Sequence, residues 1–190
     1  YLVIVDLADG EAVKHGRYDF WQAQGTEDGP TKFSLPKNLR WSPDGEKLLV
    51  SWDKAVVIDA ETGFSETISA QPVIAEWAPG SDAVYFFEVE SPDSGSKREL
   101  GDFYVKALGA TDPVKLMDRQ GLVELGLADG AGAIPVFMNL SPGGSRLAIG
   151  SGLAGGAAGQ LNIYDLSPDA TVRLDEPAES FESEYAIAAL

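Results

Sequence analysis

A strand, a proline-containing turn and a second strand recur three times, and this repeat constrains the fold more than any other feature. The copies read NLRWSPDGEKLLVSW at residues 38–52, AEWAPGSDAVYFF at 75–87 and MNLSPGGSRLAIG at 138–150. Proline sets φ at the first corner of a β-turn, and Asp and Gly suit the later corners. Each copy is therefore predicted to be a hairpin, and the Ser hydroxyl can hydrogen-bond the turn backbone.

A second pair of strands follows each hairpin. Its first strand reads AVVIDAETG at residues 55–63, FYVKALG at 103–109 and LNIYDLS at 161–167, and closing strands are expected near 67–68, 114–116 and 171–174. The opening YLVIVDLADG, residues 1–10, matches this second unit. Aligning Asp6, Asp59, Lys106 and Asp165 gives spacings of 53, 47 and 59 residues. Four strands in roughly 40–50 residues is the period of a β-propeller blade.

The predicted fold class is therefore all-β, a partial β-propeller with about three complete four-stranded antiparallel blades and two partial blades. We assign residues 1–16 to a partial blade, 17–70, 71–118 and 119–175 to blades, and 176–190 to the start of the next blade. The strand pairs lack intervening helical periodicity, which argues against a parallel α/β sheet. Either the parent protein is longer or a partner completes the ring. In a four-bladed closure, the alternative, the tail would join the opening strands in a blade lacking its second strand.

At these residues the sequence resembles the TolB-like, WD40-like (PD40-type) β-propeller repeats of bacteria. Residues 41–45, WSPDG, match the signature of that repeat in full, whereas residues 77–80 and 140–144 are degenerate copies. The resemblance implies a scaffold for protein contacts, often in the bacterial envelope. Propellers attached to serine peptidases and a few lyases share the repeat, so the resemblance alone does not decide between functions.

The charge balance narrows the choice of partner. Thirty acidic residues against fourteen basic ones give a formal net charge of -16. This field repels phosphate backbones and anionic lipid surfaces, so we expect no nucleic acid partner and no membrane docking. It favours basic proteins or divalent cations, although a solvated acidic surface accounts for the same charge. No apolar stretch has the length of a transmembrane span, so no membrane insertion is predicted.

The sequence offers no catalytic constellation. It has no cysteine, which excludes thiolate chemistry, and its single histidine, His15, is expected at a strand end. Gly150-Ser151-Gly152 lies in a Gly-rich loop and not in a nucleophile elbow. We predict no catalytic, cofactor-binding or metal residues, no cofactor and no enzymatic activity. Calcium binding remains an alternative because carboxylates are abundant, although residues 91–95 and 165–169 are more typical of turns.

Binding residues are unknown from sequence, but insertions and aromatic side chains supply candidates. The insertions are residues 24–34, 91–101 (with Lys97, Arg98 and Glu99), 120–133 and 150–159. Each is either a binding loop or a tolerated surface insertion. Trp41 and Trp77 occupy the repeat position and are predicted to be core residues. Tyr18, Phe20 and Trp21 lie outside the strict repeat and either cap a sheet or face a partner.

These observations favour a non-enzymatic scaffold that binds a protein partner. The negative charge of the chain favours a basic partner. Periplasm or cell envelope is the expected location, with the cytoplasm as the alternative. Open propeller edges also permit self-association. The alternative function is the gating domain of a larger prolyl-oligopeptidase-type serine hydrolase whose catalytic domain is outside this chain. A propeller lyase is a third hypothesis, disfavoured because the related lyases hold a metal with histidines.

Overall fold

The computed structural model describes residues 2–5, 10, 12–15, 23–24, 32–33, 38–51, 54–90, 99–124, 134–152, 159–166 and 177–183. Within these ranges the chain forms three four-stranded sheets, two two-stranded hairpins and one short helix. Every strand pair is antiparallel, as expected for strands joined by short connections. The all-β prediction is confirmed for this part of the chain.

The two hairpins come first along the chain. They are β1 (Leu2–Val5) with β2 (Ala12–His15), and β3 (Ala23–Gln24) with β4 (Lys32–Phe33). Gln24, Lys32 and Phe33, which were predicted to lie in the polar loop at residues 24–34, are therefore in strands.

The three sheets follow in chain order. Sheet one contains β5 (Asn38–Trp41), β6 (Lys47–Ser51), β7 (Ala55–Asp59) and β8 (Ser65–Ser69). Sheet two contains β9 (Val73–Trp77), β10 (Ala83–Glu90), β11 (Glu99–Ala107) and β12 (Val114–Met117). Helix α1 (Arg119–Glu124) follows it, and sheet three contains β13 (Ile134–Leu140), β14 (Arg146–Gly152), β15 (Gly159–Asp165) and β16 (Glu179–Ser183). Each sheet is a meander, with strands paired in the order of the chain.

The three predicted turns share one hydrogen-bond pattern. Ser42 N–H donates to the Lys47 carbonyl, and the Lys47 N–H returns a bond of 2.9 Å to the Ser42 hydroxyl. Ser141 and Arg146 make the equivalent pair, with 3.1 Å from the Arg146 N–H to the Ser141 hydroxyl. The predicted bond between the Ser hydroxyl and the turn backbone is therefore confirmed in both copies that carry Ser. In the second copy Ala78 takes the place of Ser, and only backbone bonds are made. The Ala78 N–H donates to the Ala83 carbonyl, and the Ala78 carbonyl accepts from the Ser81 N–H.

Apolar side chains join the three sheets face to face. Between sheets one and two lie Leu49, Ala55, Val57, Ile68, Val73, Ala75, Trp77, Val84 and Phe86. Between sheets two and three lie Ala78, Tyr85, Phe87, Phe103, Leu122, Met138, Leu147, Ile149, Tyr164 and Leu166. Because side chains alternate along a strand, Val84 and Phe86 face sheet one while Tyr85 and Phe87 face sheet three. Sheet two is thus buried on both faces, as a blade between two neighbours must be.

Polar contacts also cross from sheet one to sheet two. The Trp77 indole N–H donates to the Arg40 carbonyl at 3.0 Å, close to the ends of both first strands. At the outer strands, the Lys106 ammonium donates to the Thr67 carbonyl at 2.8 Å and lies 3.5 Å from the Glu66 carboxylate. The two sheets are therefore fixed to each other at both ends of the interface.

The end of the third sheet differs from the sequence-based expectation. Residues 171–174, predicted to close this blade, lie outside the described residues. Glu179–Ser183 pairs with β15 instead, from Gly159↔Ser183 to Ile163↔Glu179. This corrects the assignment of these residues to the start of a further blade. The connection after β15 is longer than the repeat spacing suggested, so the fourth strand comes later in the chain.

Candidate interaction site at the ends of the first strands

Three polar residues occupy one position of the repeat, the residue before the last residue of each first strand. They are Arg40 in β5, Glu76 in β9 and Asn139 in β13. The following residues, Trp41, Trp77 and Leu140, each immediately precede the proline-containing turn. Because the sheets pack side by side in the same orientation, equivalent positions of their first strands meet at one end of the molecule.

The Arg40 side chain contacts both of the other side chains across the three sheets. The Arg40 guanidinium donates to the Asn139 side-chain oxygen at 2.6 Å, and the Arg40 Nε lies 3.7 Å from Glu76 Oε2. The other oxygen, Glu76 Oε1, accepts a hydrogen bond of 2.9 Å from the Trp77 backbone N–H. The arrangement brings a cation, an anion and an amide from three blades into one cluster.

Burial affects the ionisation of Glu76. Its side chain is 6% exposed, against 45% for its partner Arg40. Burial raises the pKa of Glu76 above its ordinary value of 4.5, although hydrogen bonds from the Trp77 and Leu140 backbones and the Arg40 charge oppose that rise. The hydrogen bonds and the Arg40 charge therefore do not fully offset the cost of removing the Glu76 carboxylate from water.

The structure corrects the prediction that Trp41 is a core residue. At the equivalent position Trp77 is 1% exposed, as predicted, because residues of sheet one cover it. Trp41 is 50% exposed instead. Its neighbour across the strands, Leu48, belongs to the face of sheet one that points away from sheet two, so the second sheet cannot cover Trp41. The same repeat position therefore gives a core residue in one blade and an exposed aromatic residue in another.

A pocket of about 200 Å³ opens beside this cluster. We call it the first-strand pocket, and it is lined by Arg40, Trp41, Pro43, Glu76, Trp77, Asn139, Leu140, Ser141 and Pro142. Its volume is below the roughly 300–1,000 Å³ typical of pockets for drug-sized ligands. The lining thus combines two prolines and an exposed tryptophan with an ion pair of which only Glu76 is buried.

The described residues of the insertions named from sequence, which are 24, 32–33, 99–101, 120–124, 150–152 and 159, do not line this pocket. Residues 25–31 and 34 of the first insertion lie outside the described residues. Residues 91–98, 125–133 and 153–158, and the aromatic residues Tyr18, Phe20 and Trp21, lie outside the described residues. His15 ends β2 as predicted, and nothing is described of its side chain. In the part of the chain that is described, no group of three or more His, Cys, Asp or Glu residues is placed to hold a metal ion. None of the helices described there combines the length and apolar character needed to cross a bilayer.

Sequence reasoning missed Arg40, Glu76 and Asn139, although a signal was present. Each is polar, and each stands next to a predicted core position in a strand that has apolar neighbours. Three polar residues in register across three repeats predict a shared polar surface once the repeats are stacked. The exposure of Trp41 had no such signal, because its repeat position alone favours the core.

Comparison with known proteins places the chain by fold. No family model matches the sequence, and no curated protein matches it. The Cps50 (Swd1) β-propeller domain of Myceliophteria thermophila is similar, with a TM-score of 0.56, 18% identity, and coverage of 98% of this chain and 50% of that one. An oligogalacturonate lyase solved in complex with manganese is also similar, with a TM-score of 0.52, 19% identity, and coverage of 94% and 47%.

These similarities and the stacked four-stranded sheets define the fold as that of a partial β-propeller, which confirms the predicted fold class. The chain spans about half the length of each of these two structures. At identities of 18% and 19% the similarity concerns the fold alone.

Proposed function

We propose that this chain is part of a non-enzymatic β-propeller scaffold of the TolB-like, PD40-type class that binds a protein partner at the first-strand pocket. The exposure of Trp41 is the observation that carries the proposal. Tryptophan is enriched among the residues that dominate binding energy at protein interfaces. Here it lies half exposed beside Pro43, at the rim of a concave surface built from three blades.

The electrostatic field supports a basic partner. The formal charge of -16 attracts cationic surfaces and accelerates their encounter with the propeller at low ionic strength. A bacterial envelope location, preferably the periplasm, is part of the proposal because the repeat resembles those of envelope propellers.

The proposal is tested by capturing partners with matched variants of the full chain. Trp41→Ala should lower the recovered partner by about tenfold, as expected for a residue that dominates an interface. Phe64→Ala serves as the control because Phe64 is 72% exposed and lies outside the pocket lining. Quantitative mass spectrometry of cross-linked complexes from the native host measures both.

Equal recovery by the two variants, or no partner with either, would contradict the proposal. The parent reading frame gives an independent check. An α/β-hydrolase region in that frame would instead assign the chain to the gating domain of a peptidase.

A further inference from the structure

We propose that the first-strand pocket recognises a basic side chain of the partner, arginine foremost, by exchanging it for the resident Arg40. This inference rests on the proposed function and names the chemistry of the contact. The pocket already holds a guanidinium group, between the Asn139 amide oxygen at 2.6 Å and the Glu76 carboxylate at 3.7 Å. The geometry that holds Arg40 is therefore also suited to a guanidinium supplied from outside.

The resident arginine is held loosely on the Glu76 side. A charge-assisted N–H···O bond has a length of about 2.7–2.9 Å, and the 3.7 Å from Arg40 Nε to Glu76 Oε2 exceeds it. The Arg40 side chain is also 45% exposed, whereas Glu76 is 6% exposed. To leave the pocket, Arg40 must give up its 2.6 Å hydrogen bond to Asn139 and its longer contact with Glu76, and it would leave behind a buried carboxylate without its cation.

Trp41 offers an aromatic contact to a cation that enters this pocket. An aromatic face attracts a cation within about 6 Å of the ring centroid, and tryptophan does so best. Half of Trp41 is open to solvent at the rim of the same pocket. A cation entering the pocket from outside can therefore contact Trp41 as well as Glu76.

Glu76 is an unfavourable residue for stability alone. Its raised pKa indicates that burial disfavours its charged form. Its cation Arg40 is 45% exposed, so the attraction between the two charges is weakened by solvent. A buried carboxylate at the base of an open pocket is therefore better explained by recognition of a cation than by the packing of the blades.

The experiment uses three tripeptide probes and the full chain. The probes are Ac-Gly-Arg-Gly-NH₂, its lysine analogue, and its citrulline analogue, which keeps the shape of arginine without the charge. Binding is followed by NMR through the indole N–H resonance of Trp41, assigned with Trp41→Phe. Arginine should bind about fivefold more tightly than citrulline, in line with a single cation–aromatic contact and one ion pair. Equal binding of arginine and citrulline would overturn the inference.

Three variants separate exchange from other modes of binding. Trp41→Leu should weaken arginine binding about threefold, and Glu76→Gln more, since each removes one partner of the cation. Arg40→Gln should strengthen binding, because it removes the competing guanidinium. A loss of arginine binding in Arg40→Gln would overturn the inference, because exchange requires Arg40 to compete with the probe. Unchanged binding in Trp41→Leu, whose exposed site does not risk unfolding, would overturn it equally.

The outcome is distinguishable from failure of the proposed function. A partner lost in Trp41→Ala but retained in Glu76→Gln supports the scaffold and rejects the exchange of cations. Absence of both partner capture and probe binding rejects the two proposals together.

Discussion

At the scale of single residues, one backbone conformation recurs in all three turns. The position three residues after the start of each turn has positive φ: 77° at Gly45, 61° at Ser81 and 68° at Gly144. Glycine adopts this region without penalty, whereas a Cβ there is strained by about 1–2 kcal/mol. Ser81 accepts that strain, and its hydroxyl accepts a hydrogen bond of 3.1 Å from the Asp44 N–H of the neighbouring blade.

The two turn glycines should differ in their response to alanine. A Cβ at Gly45 meets nothing within 4 Å, whereas one at Gly144 would lie 3.0 Å from the Pro79 Cβ of the preceding blade. Gly45→Ala should therefore destabilise by about 1–2 kcal/mol, from the backbone alone. Gly144→Ala should destabilise more, because the blades must also separate slightly. Urea unfolding of both variants tests this, and equal losses would show that the contact with Pro79 yields freely.

The raised pKa of Glu76 should make the stability of the protein depend on pH. Its pKa is raised on folding, so the stability it contributes is full below its ordinary value of 4.5 and is lost as pH rises through the raised pKa. Glu76→Gln does not titrate and keeps an acceptor for the Trp77 N–H. The free energy of unfolding of this variant, relative to that of the native protein, should therefore increase from pH 4 to pH 7.5. Urea unfolding at each pH measures this difference.

Asp59 provides a control of opposite sign. The Thr62 hydroxyl and backbone bonds lower the pKa of Asp59 below its ordinary value of 3.8. Its contribution is present above that value and is lost as pH falls through the lowered pKa. Asp59→Asn should thus be less stable than the native protein at pH 7.5, and the difference should shrink in acid. The same trend in both variants would refute this assignment of signs.

At the scale of elements, strands of adjacent blades are connected by buried charge as well as by apolar packing. Lys106 in β11 is 7% exposed, and it reaches the Thr67 carbonyl and Glu66 in β8. The Glu66 carboxylate also accepts a bond of 2.9 Å from the Gly109 N–H. One lysine therefore organises the outer part of the interface between the first two sheets.

Lys106→Met should weaken this interface. It preserves the apolar stem but removes a charged donor, and bonds of that kind contribute about 1.5–3 kcal/mol each. We expect a loss of that order in the free energy of unfolding, measured in urea. Glu66→Gln is the companion variant, and the double variant should be less harmful than the two single losses added together. Strict additivity would show that Lys106 and Glu66 do not interact.

The strands themselves were largely predictable, and their partners partly so. The turn residues of the hairpins and the alternation of apolar side chains indicate β5–β6, β9–β10 and β13–β14 from sequence. The closing strands β8 and β12 include the predicted residues 67–68 and 114–116. The closing strand of sheet three was misplaced because Glu179–Ser183 has weak alternation, and pairing with β15 decides its place.

At the scale of the whole molecule, acidic charge dominates. A formal charge of -16 repels itself in the compact state and is screened within about 8–10 Å at physiological salt. This repulsion keeps the protein soluble and disfavours association with other acidic surfaces. It also makes stability depend on ionic strength.

Added salt should therefore stabilise the chain. Raising NaCl from about 0.05 M to 0.5 M shortens the screening length, and the melting temperature should rise by about several degrees. MgCl₂ and CaCl₂ at matched ionic strength are the controls. An equal rise with each salt indicates screening alone, a larger rise with CaCl₂ would indicate a bound calcium ion, and no rise would contradict the electrostatic argument.

The sequence by itself determined the local structure and the class of fold. Proline and glycine at fixed places specify turns, and alternating apolar residues specify strands that are buried on two faces, because both effects act within a few residues of one another. A repeat of that length with four strands in each copy then leaves the stacking of blades as the way to bury those faces.

Only the tertiary structure decided which equivalent positions differ. Trp41 and Trp77 occupy the same position of the repeat, yet one is exposed and the other buried, because burial depends on the neighbouring sheet and not on the strand. The meeting of Arg40, Glu76 and Asn139 is likewise a product of stacking, since these residues are up to 99 positions apart in the chain. Contacts between blades are long-range, and no local pattern encodes them.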